Sequence, residues 1–317
     1  MSGIDWLEEY DSFAAHPVGA EQPSFETSID GSKGMIQEVE LGASRLAPEP
    51  EVEFQIPQTS GLSTPKLKGR VISLRSVSPS AGKTVVAANL AFEMAALGRS
   101  VCLVDLDFQF PTLHRYFGIS SPKAAVLAGA RFMEQNRLDQ STLDQLRIRL
   151  VSKGVSLEFL SGYGLAQNQA VTNWQSIERL LEYISLRYQI VIVDASCGIG
   201  HDSHRMLDQL ALQQLWVTQP DAVSIGRFID AQSTIAACEV AGERIIAVNR
   251  VRSSVLGARP DWQIQQLLKD RTSMKIGAMI PQDEALDQAM LQGLPLRQVS
   301  GRSKALSAIS QLAKRLA

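Results

Sequence analysis

From Gly69 onward the chain alternates short apolar runs with stretches of helical spacing, and this alternation constrains the fold more than any other feature. The runs are VISLRS (71–76), VCLVDLD (101–107), VSLEFLSG (155–162), IVIVDAS (190–196), LWVTQ (215–219), IIAVNRV (245–251) and KIGAMIP (275–281). A strand buried on both faces reads as a nearly continuous apolar run, because neither side meets water. Helix periodicity fills the gaps. In IERLLEYIS, Ile177, Leu180, Leu181 and Ile184 recur at i, i+3, i+4 and i+7. Thr84 to Leu97 is a second helical stretch, rich in Ala and Leu and closed by Gly98. Strands that alternate with helices pair in parallel, since a parallel neighbour needs a crossover long enough to hold a helix. The expectation is a doubly wound α/β domain over residues 66–317, with a mostly parallel sheet of about seven strands flanked by helices.

In such a sheet ligands bind beyond the carboxyl ends of the strands, so the residues that end each run matter. The first run leads into SVSPSAGKT (76–84). The phosphate-cradling pattern is G-x-x-x-x-G-K-[ST]. Gly82, Lys83 and Thr84 match it, while Val77 stands where the first glycine belongs. The loop follows a strand and opens a helix, so its backbone N–H groups can point at phosphate oxygens beside a helix N-terminus. Lys83 supplies a mobile cation for the β- and γ-phosphates, and the Thr84 hydroxyl is placed to ligate Mg²⁺. Val77 is compatible with this path provided its φ stays negative. A second element, IVIVD, places Asp194 after four apolar residues, where a carboxylate meets a phosphate-bound metal. Gly198 and Gly200 follow, suiting a loop that moves with the terminal phosphate. A third, VDLD, puts Asp105 and Asp107 at another strand's end. Singly, each has an ordinary reading, since strand-ending aspartates often cap helices. Together and in this order they point to a nucleotide site.

The first 65 residues are different. They hold twelve acidic and two basic residues, leaving 29 basic and 21 acidic in the rest. Rich in Pro, Gly, Ser and Glu without sustained periodicity, they read as a largely disordered acidic arm. Within it Trp6, Leu7, Tyr10 and Phe13 share one face of a short helix, either a partner-docking peptide or a feature with no role. The basic surplus of the body is either a surface for anionic lipid or nucleic acid, or dispersed charge. No run of Arg and Lys with interleaved aromatics marks a specific nucleic-acid reader, which leaves non-specific DNA contact open. No apolar run approaches the ~18 residues of a spanning helix. The acidic start lacks a signal-peptide pattern, and Cys102, Cys197 and Cys238 form no C-x-x-C. A cytoplasmic protein without a disulfide framework is expected.

With these motifs in place, residues 69–317 resemble the MinD/ParA superfamily of P-loop ATPases, whose phosphate loop deviates from the usual form. The resemblance runs through GKT and VVAANLAFEMAALGRSVCLVDLDFQFPTLHRYFG, then YQIVIVDASCGIGHDS and VTQPDAVSIGRFIDA, and ends with AVNRVR and IPQDEALDQAMLQGLPL. Within it the chain looks closest to the MinD-like branch that includes the CpaE/TadZ pilus-localisation proteins. The resemblance implies ATP and Mg²⁺, a homodimer across the nucleotide face, and a switch that positions a cellular structure such as a pilus or secretion apparatus. By position, Ser80, Ala81, Gly82, Lys83, Thr84 and Val85 match the phosphate loop. Asp107 matches the aspartate that orients the attacking water, with Lys83 beside it. Thr84 and Asp194 match the metal side, and Asp105 assists through a water. Asn249 with Arg250 matches the adenine contact, and Pro281, Gln282 and Asp283 match the loop that closes over the base.

Members of the family usually carry a second lysine five residues before the first, reaching across the dimer. Here that residue is Ser78. Either another base such as Arg75 substitutes, or turnover is slow, or the chain is a degenerate scaffold that recruits partners. FPTLHRYFG also resembles the tyrosine autokinases of polysaccharide export, but the last segment, SKALSAISQLAKRLA, offers no tyrosine cluster. Leu306, Ile309, Leu312 and Leu316 form a C-terminal stripe flanked by Lys304, Lys314 and Arg315. It reads as fold packing in preference to a peripheral anchor at the inner face of the membrane, because it lacks Trp and Phe. His201 and His204 follow the Asp194 loop, as sensors of the terminal phosphate or as exposed loop residues.

Overall fold

All seven apolar runs form strands, and all seven run parallel. The computed structural model describes residues 37–40, 68–165, 173–200, 202–240, 242–252, 259–268 and 271–317. These belong to the second of the two units into which the chain divides, Gly34–Ala317. The parallel strands are β2 (Arg70–Ser76), β3 (Val101–Leu106), β5 (Val155–Leu160), β6 (Ile190–Cys197), β7 (Gln213–Thr218), β8 (Glu243–Val251) and β9 (Lys275–Pro281). They lie in the order β5-β3-β6-β2-β7-β8-β9. Two further strands extend the sheet beyond β5. β4 (Ile148–Ser152) pairs antiparallel with β5, and β1 (Gln37–Glu40) pairs parallel with β4.

The two extra strands lack the signal that marks the other seven. β4 alternates, with Ile148, Leu150 and Ser152 buried and Arg149 and Val151 only partly so. That is the pattern of a strand with one wetter face. Lys153 and Gly154 join it to β5, both at positive φ (46° and 74°). This tight turn matches the twist of a hairpin. β1 is four residues, QEVE, inside the stretch read as the arm. Its register, Gln37 to Ile148 through Glu40 to Val151, covers the outer edge of β4. Edge pairing uses backbone groups and leaves little trace in side-chain pattern.

Twelve helices lie among the described residues. They are α1 (Lys83–Ala96), α2 (Leu113–Tyr116), α3 (Ala125–Glu134), α4 (Gln140–Leu146), α5 (Trp174–Ser185) and α6 (Asp202–Leu210). The series continues with α7 (Ala222–Asp230), α8 (Gln232–Ala237), α9 (Pro260–Leu268), α10 (Glu284–Gln292), α11 (Leu296–Val299) and α12 (Lys304–Leu316). They cover both faces of the sheet. On β6, Ile190 and Ile192 join the cluster under α1 and α12, while Val191 and Val193 join the cluster under α3, α5 and α6. On β8, Ile246 and Val248 pack instead with α7, α8 and α9.

α1 is buried along almost its whole length, from Lys83 to Met94. A helix enclosed on all sides needs small or apolar residues throughout, and VVAANLAFEMAA supplies them. Its one amide, Asn89, is fully used. Nδ2 donates to the Val85 carbonyl at 2.8 Å and to the Tyr116 hydroxyl at 3.0 Å, and Oδ1 accepts from Leu296 N at 2.7 Å. This fixes α1 against α2 and α11. The C-terminal stripe is packing. Ile309, Leu312 and Leu316 are at most 1 % exposed and Leu306 is buried beside them, each stabilising the fold by roughly 1.5–3 kcal/mol. Trp6, Leu7, Tyr10 and Phe13 lie outside the described residues.

Candidate functional site

Three strand ends converge because β3, β6 and β2 are neighbours. Asp105 on β3 and Leu74 on β2 are both in register with Asp194 on β6. The loop that leaves β2 therefore crosses directly over the two aspartates. Gly82 sits at φ +86° as the residue before α1. A Cβ there would lie 2.2 Å from Asn249 Nδ2, so both the backbone conformation and the space demand glycine. Ser80 also takes positive φ, at 60°, and the successive N–H groups of such a turn form a concavity suited to anions. Val77 is absent from the positive-φ residues, so the loop tolerates it in the place of the first glycine, and it packs on the cluster beneath α7.

Lys83 is the centre of the site. Its side chain is 6 % exposed and donates to Asp194 Oδ1, with Asp107 Oδ2 at 3.5 Å. The Thr84 hydroxyl donates to the other oxygen of Asp194 at 2.7 Å. Burial opposes the charge of Lys83, but Asp194 and Asp107 outweigh it and hold the ammonium above its ordinary pKa. Asp105 is fully buried. Burial first, and then Asp194, push its carboxyl well above the usual range. It is held in place by accepting from Asp107 N at 3.2 Å and from Leu113 N at 3.0 Å. Asp107 in turn accepts from Gln109 N and Phe110 N on Oδ1, which leaves Oδ2 turned toward Lys83.

A cavity of about 450 Å³ lies above this cluster, lined by the phosphate loop, Asp107, Phe110, Thr112, Cys197, Arg250 and Met290. A smaller pocket adjoins it, walled by Val85, Asn249, Arg250, Pro281, Gln282 and Asp283. Every residue singled out from the sequence as a nucleotide contact except Ser80, Ala81, Lys83 and Thr84 thus meets at one wall of that pocket, and those four line the larger cavity. Asn249 reaches it through a break in the ladder between β8 and β9, where pairing skips from Val248 to Val251. Arg250 sits in that bulge at φ +57°, an uncommon conformation for a non-glycine residue. Asn249 Nδ2 donates to the Ala81 carbonyl at 2.9 Å, and among the described residues its Oδ1 has no partner. The amide therefore braces the loop with its donor and keeps an acceptor for a ligand. Asp283 is committed to structure. It caps α10 through Ala285 N and holds Ser303 and Ala305 at the start of α12.

The donor set fits Mg²⁺. It offers a hydroxyl and carboxylate oxygens, hard ligands, around an open cavity. Mg²⁺ takes one or two protein ligands and completes its shell with phosphate and water. Among the described residues no group of three or more His, Cys, Asp or Glu could hold a metal ion by itself.

Some expectations need correction. Arg75 does not face this site. It is 2 % exposed on the other side of β2, where it pairs with Asp208 at 2.8 Å and lies over the Trp216 ring. It is not among the residues that line the phosphate cavity. Ser78 is buried, with no partner for its hydroxyl among the described residues. His204 is buried on α6 with Nε2 3.0 Å from the Ser196 carbonyl, away from the phosphate cavity. His201 lies outside the described residues. Sequence reading missed Gln219, whose side chain donates to the Ser80 carbonyl at 2.7 Å and braces the loop from β7. Cys197 lines the cavity as well. Residue type offers no cue for either.

A phosphate loop opening a buried helix, faced by aspartates from two adjacent strand ends, defines a P-loop nucleotide-binding α/β domain. Comparison with known proteins narrows this class. The chain belongs to the CobQ/CobB/MinD/ParA nucleotide-binding domain family, which matches residues 73–296. It is 24% identical over 249 residues to the septum site-determining protein MinD of Synechocystis, covering 78% of this chain and 89% of that one. Similarity extends to an ATP-binding protein of Methanocaldococcus jannaschii, 27% identical over 252 residues, covering 77% and 86% of the two chains. Among solved structures, a ParA family ATPase from Chlorobium tepidum shares the fold with a TM-score of 0.66 at 22% identity, covering 78% of this chain and 99% of that one. MinD from Pyrococcus horikoshii, complexed with Mg-ADP, gives a TM-score of 0.59 at 19% identity, covering 78% and 96%.

Proposed function

We propose that the chain is an ATP-binding, slowly hydrolysing switch that dimerises across its nucleotide face and positions a cellular structure, such as a pilus or secretion apparatus, as the CpaE/TadZ branch does. The observation that carries this reading is the meeting of Lys83 with Asp194 and Asp107 beneath a glycine-dependent loop. In this reading the loop N–H groups of Ser80 to Gly82 receive phosphate oxygens. Lys83, now shared between two carboxylates, turns its charge to the β- and γ-phosphates. Thr84 and Asp194 would hold Mg²⁺, with Asp105 behind them, and the bound ion neutralises phosphate charge. Asp107, with one oxygen fixed by two backbone N–H groups, positions the attacking water with the other. Asn249 and Arg250 contact adenine, and Pro281, Gln282 and Asp283 border the base, with the Asp283 carboxylate serving the helix caps.

Dimerisation draws support from the rim of the cavity. Phe110, 74% exposed, and Met290, 40% exposed, both line the cavity. Apolar side chains clustered beside a charged cavity suit a protein interface. In this reading the protein acts in the cytoplasm or at the inner face of the membrane, and the N-terminal arm carries a docking peptide for a protein partner. Among the described residues no helix is long and apolar enough to cross a membrane.

Ser78 favours a second reading. With no lysine there and Arg75 turned away, the alternative is a degenerate scaffold that binds nucleotide without turnover, or binds none, and recruits partners. One experiment separates them: ATP hydrolysis by the purified chain with Mg²⁺, with mass measured in ATP and in ADP. Turnover with an ATP-dependent dimer supports the switch. A dimer without turnover supports the scaffold, and no nucleotide binding overturns the switch.

A further inference from the structure

Two side-chain amides hold consecutive carbonyls of the phosphate loop. Gln219 Nε2 donates to the Ser80 carbonyl at 2.7 Å, and Asn249 Nδ2 donates to the next one, that of Ala81, at 2.9 Å. Neither carbonyl accepts from a backbone N–H among the described residues, so the two amides set where the carbonyls point. Ser80 needs such a hold. It is exposed and sits at φ 60°, a conformation that is costly for a residue other than glycine.

A planar trans peptide carries this direction to its other side, because its C=O and the following N–H point opposite ways. Gln219 therefore sets the Ala81 N–H, and Asn249 sets the Gly82 N–H. Both amides reach the loop from one side, since β7 and β8 follow β2 in the sheet, while β6 and β3, which carry Asp194 and Asp105, lie on the other. The two N–H groups are thus turned away from β7 and β8. Among the described residues they make no backbone hydrogen bond, and Ala81 and Gly82 both line the phosphate cavity.

Gln219 acts from a fixed base. Thr218 before it is 2% exposed and ends β7 in register with Val248. Pro220 after it has a locked φ, and Asp221 caps α7 through Ser224 N at 2.8 Å. The half-buried Gln219 side chain has little freedom left to lose when it holds the loop.

We propose that Gln219 is a positioning residue for phosphate, which aims the Ala81 N–H at a phosphate oxygen of the nucleotide as Asn249 aims the N–H of Gly82. A donor already aimed binds more tightly than one that must first be ordered. This role rests on the nucleotide reading above and adds to it a residue from outside the loop and the strand-end aspartates.

The test is calorimetric titration of the full chain with Mg-ADP, in the parent, in Gln219→Met, which keeps the length without the donor, and in Gln219→Lys, which keeps a donor. Gln219→Met is expected to weaken binding about fivefold, as for one hydrogen bond between neutral groups, with the unfolding midpoint of the unliganded chain unchanged. Gln219→Lys is expected to bind at least as tightly as the parent. A second readout needs no nucleotide. A bond accepted at a carbonyl polarises its peptide unit, so the amide nitrogen resonance of Ala81 in the unliganded chain shifts in Gln219→Met and returns toward the parent in Gln219→Lys. Equal ADP affinity in Gln219→Met, or an unmoved Ala81 resonance, overturns the role of Gln219 and leaves the nucleotide reading standing. A weaker affinity that comes with a lowered unfolding midpoint, or that Gln219→Lys does not restore, marks a general structural role and overturns it as well. A parent chain that binds no ADP is a different result, which overturns the nucleotide reading and this proposal together.

Discussion

Replacing Lys83 by methionine keeps the length of the side chain and removes its charge, and the effect on stability should be as large as the effect on binding. Lys83 is 6% exposed, and it neutralises Asp194, at 1%, and Asp107. Removing one partner of a buried pair strands the other and costs about 3–5 kcal/mol. A stranded carboxylate can escape by taking a proton, which at pH 7 costs about 4 kcal/mol for a group with an ordinary value near 4. The loss for Lys83→Met at pH 7 is therefore about 3–4 kcal/mol. For a domain of this size that lowers the melting temperature by about 10 °C.

The pH dependence has a definite sign. Without the lysine, burial raises the folded-state pKa of Asp194 further above its unfolded value. Such a group stabilises the fold when protonated and loses that contribution as pH rises, so the deficit shrinks toward pH 5, where protonation costs about 1.5 kcal/mol. Urea unfolding of the unliganded chain between pH 5 and 8 measures this directly. The double variant Lys83→Met with Asp194→Asn removes the stranded charge and should recover most of the loss. A Lys83→Met protein within about 0.5 kcal/mol of the parent, or a loss that does not vary with pH, would refute the reasoning about burial and pairing.

Three other outcomes are expected. Asp107→Asn leaves ATP affinity within a few-fold and lowers turnover by about tenfold or more, since a water-orienting group acts in the transition state and not in binding; equal turnover removes Asp107 from the mechanism. Gly82→Ala places a Cβ against Asn249 at φ +86° and lowers nucleotide affinity by more than about tenfold, read by calorimetry. Tyr116, whose hydroxyl is buried between Asn89 and the Leu294 carbonyl, has its pKa pushed up to about 12 by burial. Its contribution is complete below pH 10 and is lost as pH rises toward 12, about 2–3 kcal/mol in all. Tyr116→Phe should lack that part of the alkaline loss.

The pattern of apolar runs specified the class of fold and marked residues that the structure gathers at one edge of the sheet. Seven strands were legible because burial on both faces forces a continuous apolar run, and each of those runs is a parallel strand. The helix over 177–184 and the C-terminal stripe were legible because a core face must repeat with the helical period. Lys83 and Thr84 stood out by the Gly-Lys-Thr spacing between a strand and a helix, and Asp105, Asp107 and Asp194 because carboxylates end two apolar runs at the same edge of the sheet. What the chain order could not specify is adjacency. Only the placement of β6 between β3 and β2 sets Asp194 beside Asp105 and under the loop. Only the bulge in β8 carries Asn249 beneath Gly82. The hairpin strand β4 and the edge strand β1 escaped notice, because one alternates and the other is specified by its neighbour's open backbone. Arg75 shows the same limit most plainly. One residue from the phosphate loop in sequence, it is turned to the far face of the sheet by the two-residue period of a strand, and only the three-dimensional packing gives it Asp208 and Trp216 as neighbours.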